Sequence, residues 1–519
     1  MSDKSHPNDL RSTVSSLRWW PTVVVALLFA GFLIRTWWLV DQTRQYSVME
    51  TIAAVVLALL LVLLWFLLAS RAPWKWRLGA IGLAILAGVL GSQFLTIRGV
   101  SGDLVPLIGF KSSGEAAVAG TVRTAGELEG TIRADYPQFL GPNRNTTVGE
   151  LRLSRDWKAF PPREIWRREV GPAWSGFAVV GDFAVTQEQH GTEEQVVAYD
   201  LATGEVRWRH ADATRYETTI GGIGPRSTPT IAGDAVYTLG ATGLLNALVL
   251  ETGERLWSRD ILKEHDASNR EWGKSCSPLV VGDLVVVSAG GIRDQSLVAY
   301  ERETGELAWA AGTDASSYSS PVLFTLAGHE QIVMRNQGSI AAHDPMTGKV
   351  LWSVDWPAEQ PNVAVPLQLG PDRVLFSSGY GIGSKVYAVS AAPDGAFEAE
   401  MLWESPRMKA KFTNPVAYRG HVYGLDDGVM VCLDPSTGER CWKKGRYGHG
   451  QGILVDDLLL LTTERGEVVL IEPNPEQLRV LGELVAFEGK SWNPPALAGS
   501  LLLLRTDSEA VLYELTAAG

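Results

Sequence analysis

Two hydrophobic rhythms divide the chain. Residues 51–70 (TIAAVVLALLLVLLWFLLAS) carry no charged side chain, and a helix of that length spans a bilayer core of about 30 Å. Residues 78–97 form a second uncharged run, and residues 20–40 a third that is broken by Arg35. Arg35 can snorkel, with Trp37 and Trp38 as interfacial anchors. Three successive apolar spans without a small-x-small cleavage pattern argue for membrane helices and against a removed signal peptide. Further along, the rhythm changes to short apolar strands such as VVAYDL, each followed by a turn signal and a second strand.

The basic residues orient the helices. Lys4, Arg11 and Arg18 precede the first span, Arg71, Lys75 and Arg77 lie between the second and third, and Arg44 alone occupies the loop between the first two. The positive-inside rule puts the N-terminus and the second loop in the cytoplasm and exports the chain beyond the third span. The expected organisation is a cytoplasmic tail at 1–18, three transmembrane helices within 19–98, a flexible linker at 99–135 that is poor in large apolar side chains, and a body at 136–519. Ala80, Ala84, Gly88 and Ser92 line one face of the third span, a small-residue stripe read here as packing within the anchor.

The body is a repeat. Ala198, Asp200, Thr203, Gly204, Glu205 and Trp208 spell a phrase that recurs with drift and closes on Trp257, Trp309, Trp352 and Trp442, with turn glycines Gly253, Gly305, Gly348 and Gly438. Trp166 and Trp403 end further units, and successive tryptophans are 42, 49, 52, 43, 51 and 39 residues apart. That is the length of a four-stranded propeller blade. A second phrase precedes each hairpin, and eight copies of it can be aligned. The last unit lacks an outer strand, whereas EIWRREV at 164–170 lacks inner ones. The two ends complete each other, which removes the open sheet edges. The prediction is an all-β, eight-bladed β-propeller preceded by an N-terminal three-helix transmembrane anchor.

Composition narrows the partners. The chain has 519 residues and a net charge of −12, of which residues 1–98 contribute +5 and the remainder −17. An acidic body repels phosphate backbones, so no nucleic-acid partner is expected. Three cysteines are too few for a disulfide framework or a structural zinc site, and no metal site is predicted. Cys432 and Cys441 flank the PSTGER turn, where a cross-strand disulfide can form in an oxidising compartment if the register permits; Cys276 reads as a small buried filler. Asn145, Thr146 and Thr147 match a glycosylation sequon, which means nothing without the machinery.

In the second phrase, three residues before the Pro or its equivalent, the eight copies read Trp174, Arg226, Ser275, Tyr318, Val363, Phe412, His449 and Trp492. Placed at the start of the innermost strands, these positions ring the channel mouth. Their flat faces and Arg226, with Lys274 and Lys411 close in sequence, suit a planar or anionic ligand. The competing reading is that the rings wedge between blades as core. His449, between two glycines, is read as a loop hydrogen-bonder rather than a catalyst.

The tryptophan phrase in an eightfold repeat resembles the quinoprotein-like (PQQ-like repeat) β-propeller superfamily over about residues 136–519, and DYPQFLGPNRN at 135–145 is similar to the start of many PQQ-like repeat proteins. The resemblance implies that each Trp packs over the Gly turn of a neighbouring blade. The superfamily holds both PQQ-dependent dehydrogenases and the non-enzymatic BamB-type assembly factor, so function does not travel with the fold. No adjacent cysteines of the alcohol-dehydrogenase kind occur, and no calcium-binding Glu/Asn/Asp set aligns. Membrane-bound quinoprotein glucose dehydrogenases also lack that pair and join spans to a propeller. The leading expectation is a non-enzymatic binding or scaffold module for an envelope protein or small ligand. It is integral to the inner (cytoplasmic) membrane, with its propeller in the periplasm and no cofactor. The alternative is a membrane-linked dehydrogenase using PQQ with calcium to oxidise alcohols or sugars. A reporter fused after Gly519 is expected to be active outside the cytoplasm; activity confined to the cytoplasm would sink this topology.

Overall fold

The computed structural model describes residues 18–40, 42–110, 123, 124, 128, 131–149 and 151–518. Nearly all of the expected cytoplasmic tail and the middle of the linker fall outside these residues. The chain divides into two compact units, Met1–Glu115 and Ala116–Gly519.

Among the described residues of the first unit, three helices are long and apolar enough to cross a membrane: Trp20–Leu39, Arg44–Leu68 and Trp74–Phe94. The first ends in a wide π-helical turn, Arg35–Leu39, closed by the Val40 N–H donating to Arg35 O at 3.0 Å. That turn carries Thr36 and Trp37, which meet polar groups of the second helix. Thr36 Oγ1 donates to Glu50 at 2.9 Å, and Trp37 Nε1 donates to Thr51 Oγ1 at 2.9 Å. The second helix starts at Arg44 rather than 51, because a polar first turn is no obstacle to helix and hydropathy marks only the apolar part. The third stops at Phe94, and Leu95–Val100 instead pairs antiparallel with Pro106–Phe110. A hairpin therefore occupies residues expected as the end of a span and the start of a tether. Among the described residues a Cβ added at Gly88 would meet nothing within 4 Å.

The second unit is the eight-bladed propeller. Blades 1 to 7 follow in chain order, from Ala178–Val180, Phe183–His190, Glu193–Asp200 and Val206–Asp212 through to Gln451–Val455, Leu458–Thr462, Glu467–Glu472 and Arg479–Val485. Each blade is an antiparallel meander whose first strand lies nearest the axis. Blade 8 has three strands from the C-terminus, Ala496–Ala498, Leu501–Arg505 and Glu509–Glu514, and takes its fourth, Arg163–Glu169, from before blade 1. Trp166 stands opposite Leu512 in that junction, so the closure expected from the unmatched ends is the one observed.

A single local irregularity aims the tryptophans. In every blade the outer strand carries a β-bulge beside the same residue pair, such as Ala198 opposite Trp208 or Ala247 opposite Trp257, and a bulge redirects the side chain beside it. The indole then lies over the turn of the next blade. A Cβ on Gly204 would meet the Trp166 ring at 2.8 Å, and one on Gly253 the Trp208 ring at 2.4 Å. Only glycine fits there, both for space and for a φ of +72° at each. Trp257 over Gly305, Trp309 over Gly348 and Trp403 over Gly438 repeat the contact. The indole N–H adds a hydrogen bond to a carbonyl three residues before that glycine, as from Trp166 to Leu201 O at 2.8 Å and from Trp208 to Leu250 O at 2.8 Å. Trp442 donates likewise to Asn474 O at 2.8 Å, on a turn that has no glycine.

Two blades depart from the rule. Trp352 has no Thr-Gly turn ahead of it, because blade 5 joins Gly383–Ala391 to Phe397–Ser405 by a longer hairpin; its N–H goes to Gln331 Oε1 at 2.7 Å in its own blade. Blade 7 has Gly482 at the tryptophan position, opposite Leu470. The ring of Trp157, from the segment before the closing strand, fills that gap at 3.0 Å from where a Cβ of Gly482 would stand.

Trp166 is fully buried. Trp166→Ala is expected to lower the unfolding free energy by about 3–5 kcal/mol, read by denaturant titration, as a large core truncation does. A change within about 1 kcal/mol would mean that closure does not depend on this ring.

Candidate functional site

The two mouths of the axial channel are built differently. On the side of the turns between first and second strands, residues 131–149 run as a strap beneath the ring. Ile132 exchanges hydrogen bonds with Ser500 in blade 8, and Tyr136 exchanges two backbone bonds of 2.8 Å with Val179 in blade 1. Pro137 O accepts from Ile231 N in blade 2. Arg144 sends its guanidinium to Ser277 O at 2.7 Å and Pro278 O at 2.8 Å in blade 3, while Thr146 O accepts from Leu454 N in blade 7 at 2.8 Å. Blades 3 and 7 are opposite in an eightfold ring, so the chain crosses the axis between Arg144 and Thr146. Thr147–Val148 then adds a parallel strand to the first strand of blade 7. Arg144 is buried, and burial lowers its pKa to about 10. The DYPQFLGPNRN segment is thus the stopper of the channel, a role its sequence did not announce.

Within the ring, small polar residues two places beyond the aligned positions link blade to blade. Gly176 N donates to Thr228 Oγ1 (3.1 Å), Thr228 N to Ser277 Oγ (3.0 Å) and Ser277 N to Ser320 Oγ (2.9 Å). Val365 N donates to Asn414 Oδ1 (3.0 Å) on the far side. Arg505 makes the seam between blades 8 and 1: it is fully buried and donates to Thr186 Oγ1 at 2.7 Å, Gln187 O at 3.1 Å and Gly171 O at 2.9 Å. Burial disfavours the charged carboxylate of nearby Glu188, but hydrogen bonds from His190 and Tyr199 and the charge of Arg505 hold its pKa below the ordinary value.

The aligned aromatic positions sort into two groups at the other mouth. Trp174, Phe412, His449 and Trp492 converge. Ring centroids are 5.0 Å apart for Trp174 and Trp492, 4.9 Å for Phe412 and Trp492, and 5.1 Å for Phe412 and His449. Phe412 and Trp492 open blades 6 and 8, so their contact passes over blade 7 toward the axis. Lys490, which the alignment missed because it lies two residues before the aligned column, sets its ammonium 3.7 Å from the Trp492 ring centroid and 4.6 Å from that of Trp174. Glu464 accepts from Trp492 Nε1 at 2.9 Å and from His449 N at 3.2 Å. These side chains pack on one another across the mouth, with Trp174 and His449 buried.

Arg226 and Tyr318 belong to the second group. The Arg226 guanidinium lies 4.7 Å from the Tyr216 ring centroid and donates to the carbonyls of Gly221, Gly222 and Gly224. Burial lowers its pKa to about 10, against the pull of Tyr216 and Glu194. Its donors hold its own loop. Tyr318 stacks on Trp272 at 5.1 Å, and Ser275 Oγ donates to Tyr318 O at 2.8 Å. Lys274 is buried below them, with its ammonium shared among Ser288 O (3.1 Å), Ala289 O (2.7 Å) and Ser316 Oγ (3.0 Å), and burial lowers its pKa to about 8. Lys411 is buried 3.9 Å from Asp427; Val363 is half-buried. Beside this group a polar cleft of about 590 Å³ opens between loops of blades 2 to 5, lined by Arg270, Glu271, Trp272, Tyr318, Gln337 and Glu359 among others. Sequence reasoning missed it because the loop at 261–273 lies outside the aligned repeat.

The family model for outer membrane protein assembly factor BamB matches residues 158–271 and 192–444. The chain belongs to this family of propeller proteins. It is 24% identical over 278 residues to the BamB of Bordetella pertussis, an alignment covering 49% of this chain and 64% of the relative. It therefore spans less than two thirds of that relative's length. The solved structure of BamB from Moraxella catarrhalis shares the fold, with a TM-score of 0.50 at 14% identity over 68% of this chain and 97% of that one. Similarity also reaches the quinone alcohol dehydrogenase subunit of Gluconacetobacter polyoxogenes, at 24% identity over 46% of this chain and 35% of the enzyme. Among the described residues no group of three or more His, Cys, Asp or Glu comes together as a metal site.

One buried acid lies at the loop face. Glu194 Oε2 accepts from Ala241 N at 3.1 Å at the seam of blades 1 and 2. Burial raises its pKa to about 7; Arg226 and the Ala241 N–H oppose the rise, and Asp212 adds to it. The folded protein holds this proton more tightly than the unfolded chain does, so stability falls as pH rises from the ordinary carboxylate range through about 7. Glu194→Gln is expected to flatten that slope and to gain about 1–3 kcal/mol near pH 8, read by denaturation at about pH 5 and pH 8. An unchanged slope would remove Glu194 as its source.

Proposed function

We propose that this protein is a non-catalytic scaffold for envelope protein assembly, held at the cytoplasmic membrane by its three helices and presenting the propeller on the periplasmic side. The observation that carries this reading is the family match to an assembly factor across blades 1 to 6. The build of the ring supports it. The strap stops one mouth, aromatic side chains pack across the other, and the buried cations there are committed to backbone carbonyls or a neighbouring carboxylate, which suits a rigid disc that displays loops. The cleft beside Trp272 and Tyr318 and the aromatic cluster around Trp492 are the proposed contact regions on that face. The second reading, a quinone-dependent dehydrogenase, draws on the similarity to the alcohol dehydrogenase subunit.

The test removes the chain from its host and follows the folding of newly made outer-membrane barrels by their heat-dependent gel mobility. Slower folding, restored by the full chain, is expected; unchanged folding in every barrel followed counts against the scaffold. In parallel, the purified full chain is titrated with PQQ and calcium. Stoichiometric quinone absorbance with dye-linked oxidation of an alcohol or sugar would replace the scaffold with the enzyme.

A further inference from the structure

We propose that Cys432 and Cys441 form a disulfide across the outer hairpin of blade 6 once the propeller faces an oxidising compartment. The proposal goes beyond the scaffold reading and stands on register. In blade 6, Val429–Leu433 pairs with Arg440–Arg446, with Cys432 opposite Trp442 and Leu433 opposite Arg440. Cys441 is therefore the extra residue of the bulge, and Cys432 is the single residue that faces it. The same bulge recurs around the ring, which supplies internal controls. Ala198, Ala247, Ala299 and Ala342 hold the place of Cys432 in blades 1 to 4, facing Arg207, Leu256, Ala308 and Leu351 in the place of Cys441. Only three cysteines occur in 519 residues, yet two of them occupy both sides of one bulge. The third, Cys276, is buried near the axis, where its sulfur accepts from Ser288 N at 3.4 Å.

The surroundings suit formation by exchange. Cys441 is exposed and Cys432 is buried, so an oxidant meets Cys441 first. Burial, together with the neighbouring Cys441, raises the Cys432 thiol to about 12, which makes Cys432 the slower, second nucleophile. With glutathione disulfide as oxidant, the Cys441 thiolate attacks one sulfur and releases one glutathione. Cys432 then gives up its proton and attacks the Cys441 sulfur, releasing the second. Two protein thiols and one glutathione disulfide become one protein disulfide and two glutathione thiols. The bond staples an outer strand whose ladder is interrupted twice, between Val429 and Val431 and again between Cys432 and Leu433.

The experiment uses the full chain in detergent, equilibrated with glutathione disulfide, acid-quenched, denatured and labelled with a maleimide. One label, on Cys276, is expected before reduction and three after, with an unlabelled mass about 2 Da lower before reduction. Cys441→Ser is expected to leave Cys432 and Cys276 unpaired in the chain, so its mass does not change on reduction apart from any glutathione adduct. Three labels before reduction, or protection of Cys276 in place of Cys432, overturns the proposal. The same count on chain trapped directly from cells is read beside the Gly519 reporter. Three labels with an exported propeller overturn it as well, whereas a cytoplasmic propeller refutes only the topology and leaves the glutathione result to decide.

Discussion

A last propeller blade with only three strands of its own leaves its third strand as an unpaired sheet edge, exposing a row of backbone groups, unless another strand is added to it. Here the added strand is Arg163–Glu169, from before the first blade, hydrogen-bonded to the last strand of the chain with Trp166 opposite Leu512. Much of the propeller depends on this one pairing. It carries Trp166 onto the Gly204 turn of blade 1, so the contact that joins blades in sequence also joins the end to the beginning. It brings Arg505 against Thr186, Gln187 and Gly171, where a buried guanidinium finds carbonyls from the far end of the chain.

Closure has a consequence for the channel. The segment leading into the closing strand passes beneath the ring, and its hydrogen bonds to the entry of blade 3 and the first strand of blade 7 turn that passage into a stopper. A channel blocked there and crowded by Trp174, Trp492 and Phe412 at the other mouth is a structural axle. The loop face carries the departures from the repeat, such as 261–273, which can vary without disturbing the blades.

The blades, their number and the exchange of the terminal strand were legible in the sequence, because a repeat of fixed length with a bulky ring at one position and glycine at another reports a contact made many times over. The glycine at the tryptophan position of blade 7 and its filling by Trp157 were not read from the sequence, because Trp157 lies outside the repeat. Of the aligned positions, Trp174, Phe412, His449 and Trp492 come together with their rings in contact. For Arg226 and Lys274 the type of residue was informative and its use was not, since a cation in sequence reads the same whether it awaits a ligand or holds its own loop.

The sequence by itself determined the three apolar helices and the eight repeats, since each depends on periodicity or on a side chain's size, which a linear reading preserves. Tertiary structure alone decided which backbone groups each polar side chain would satisfy. The path of the strap, the capture of the Lys274 ammonium and the facing of Cys432 and Cys441 across a bulge depend on distances between residues well apart in the chain or on a one-residue shift in register. Buried donors and acceptors must be paired by whatever lies nearest in space, and composition does not record nearness.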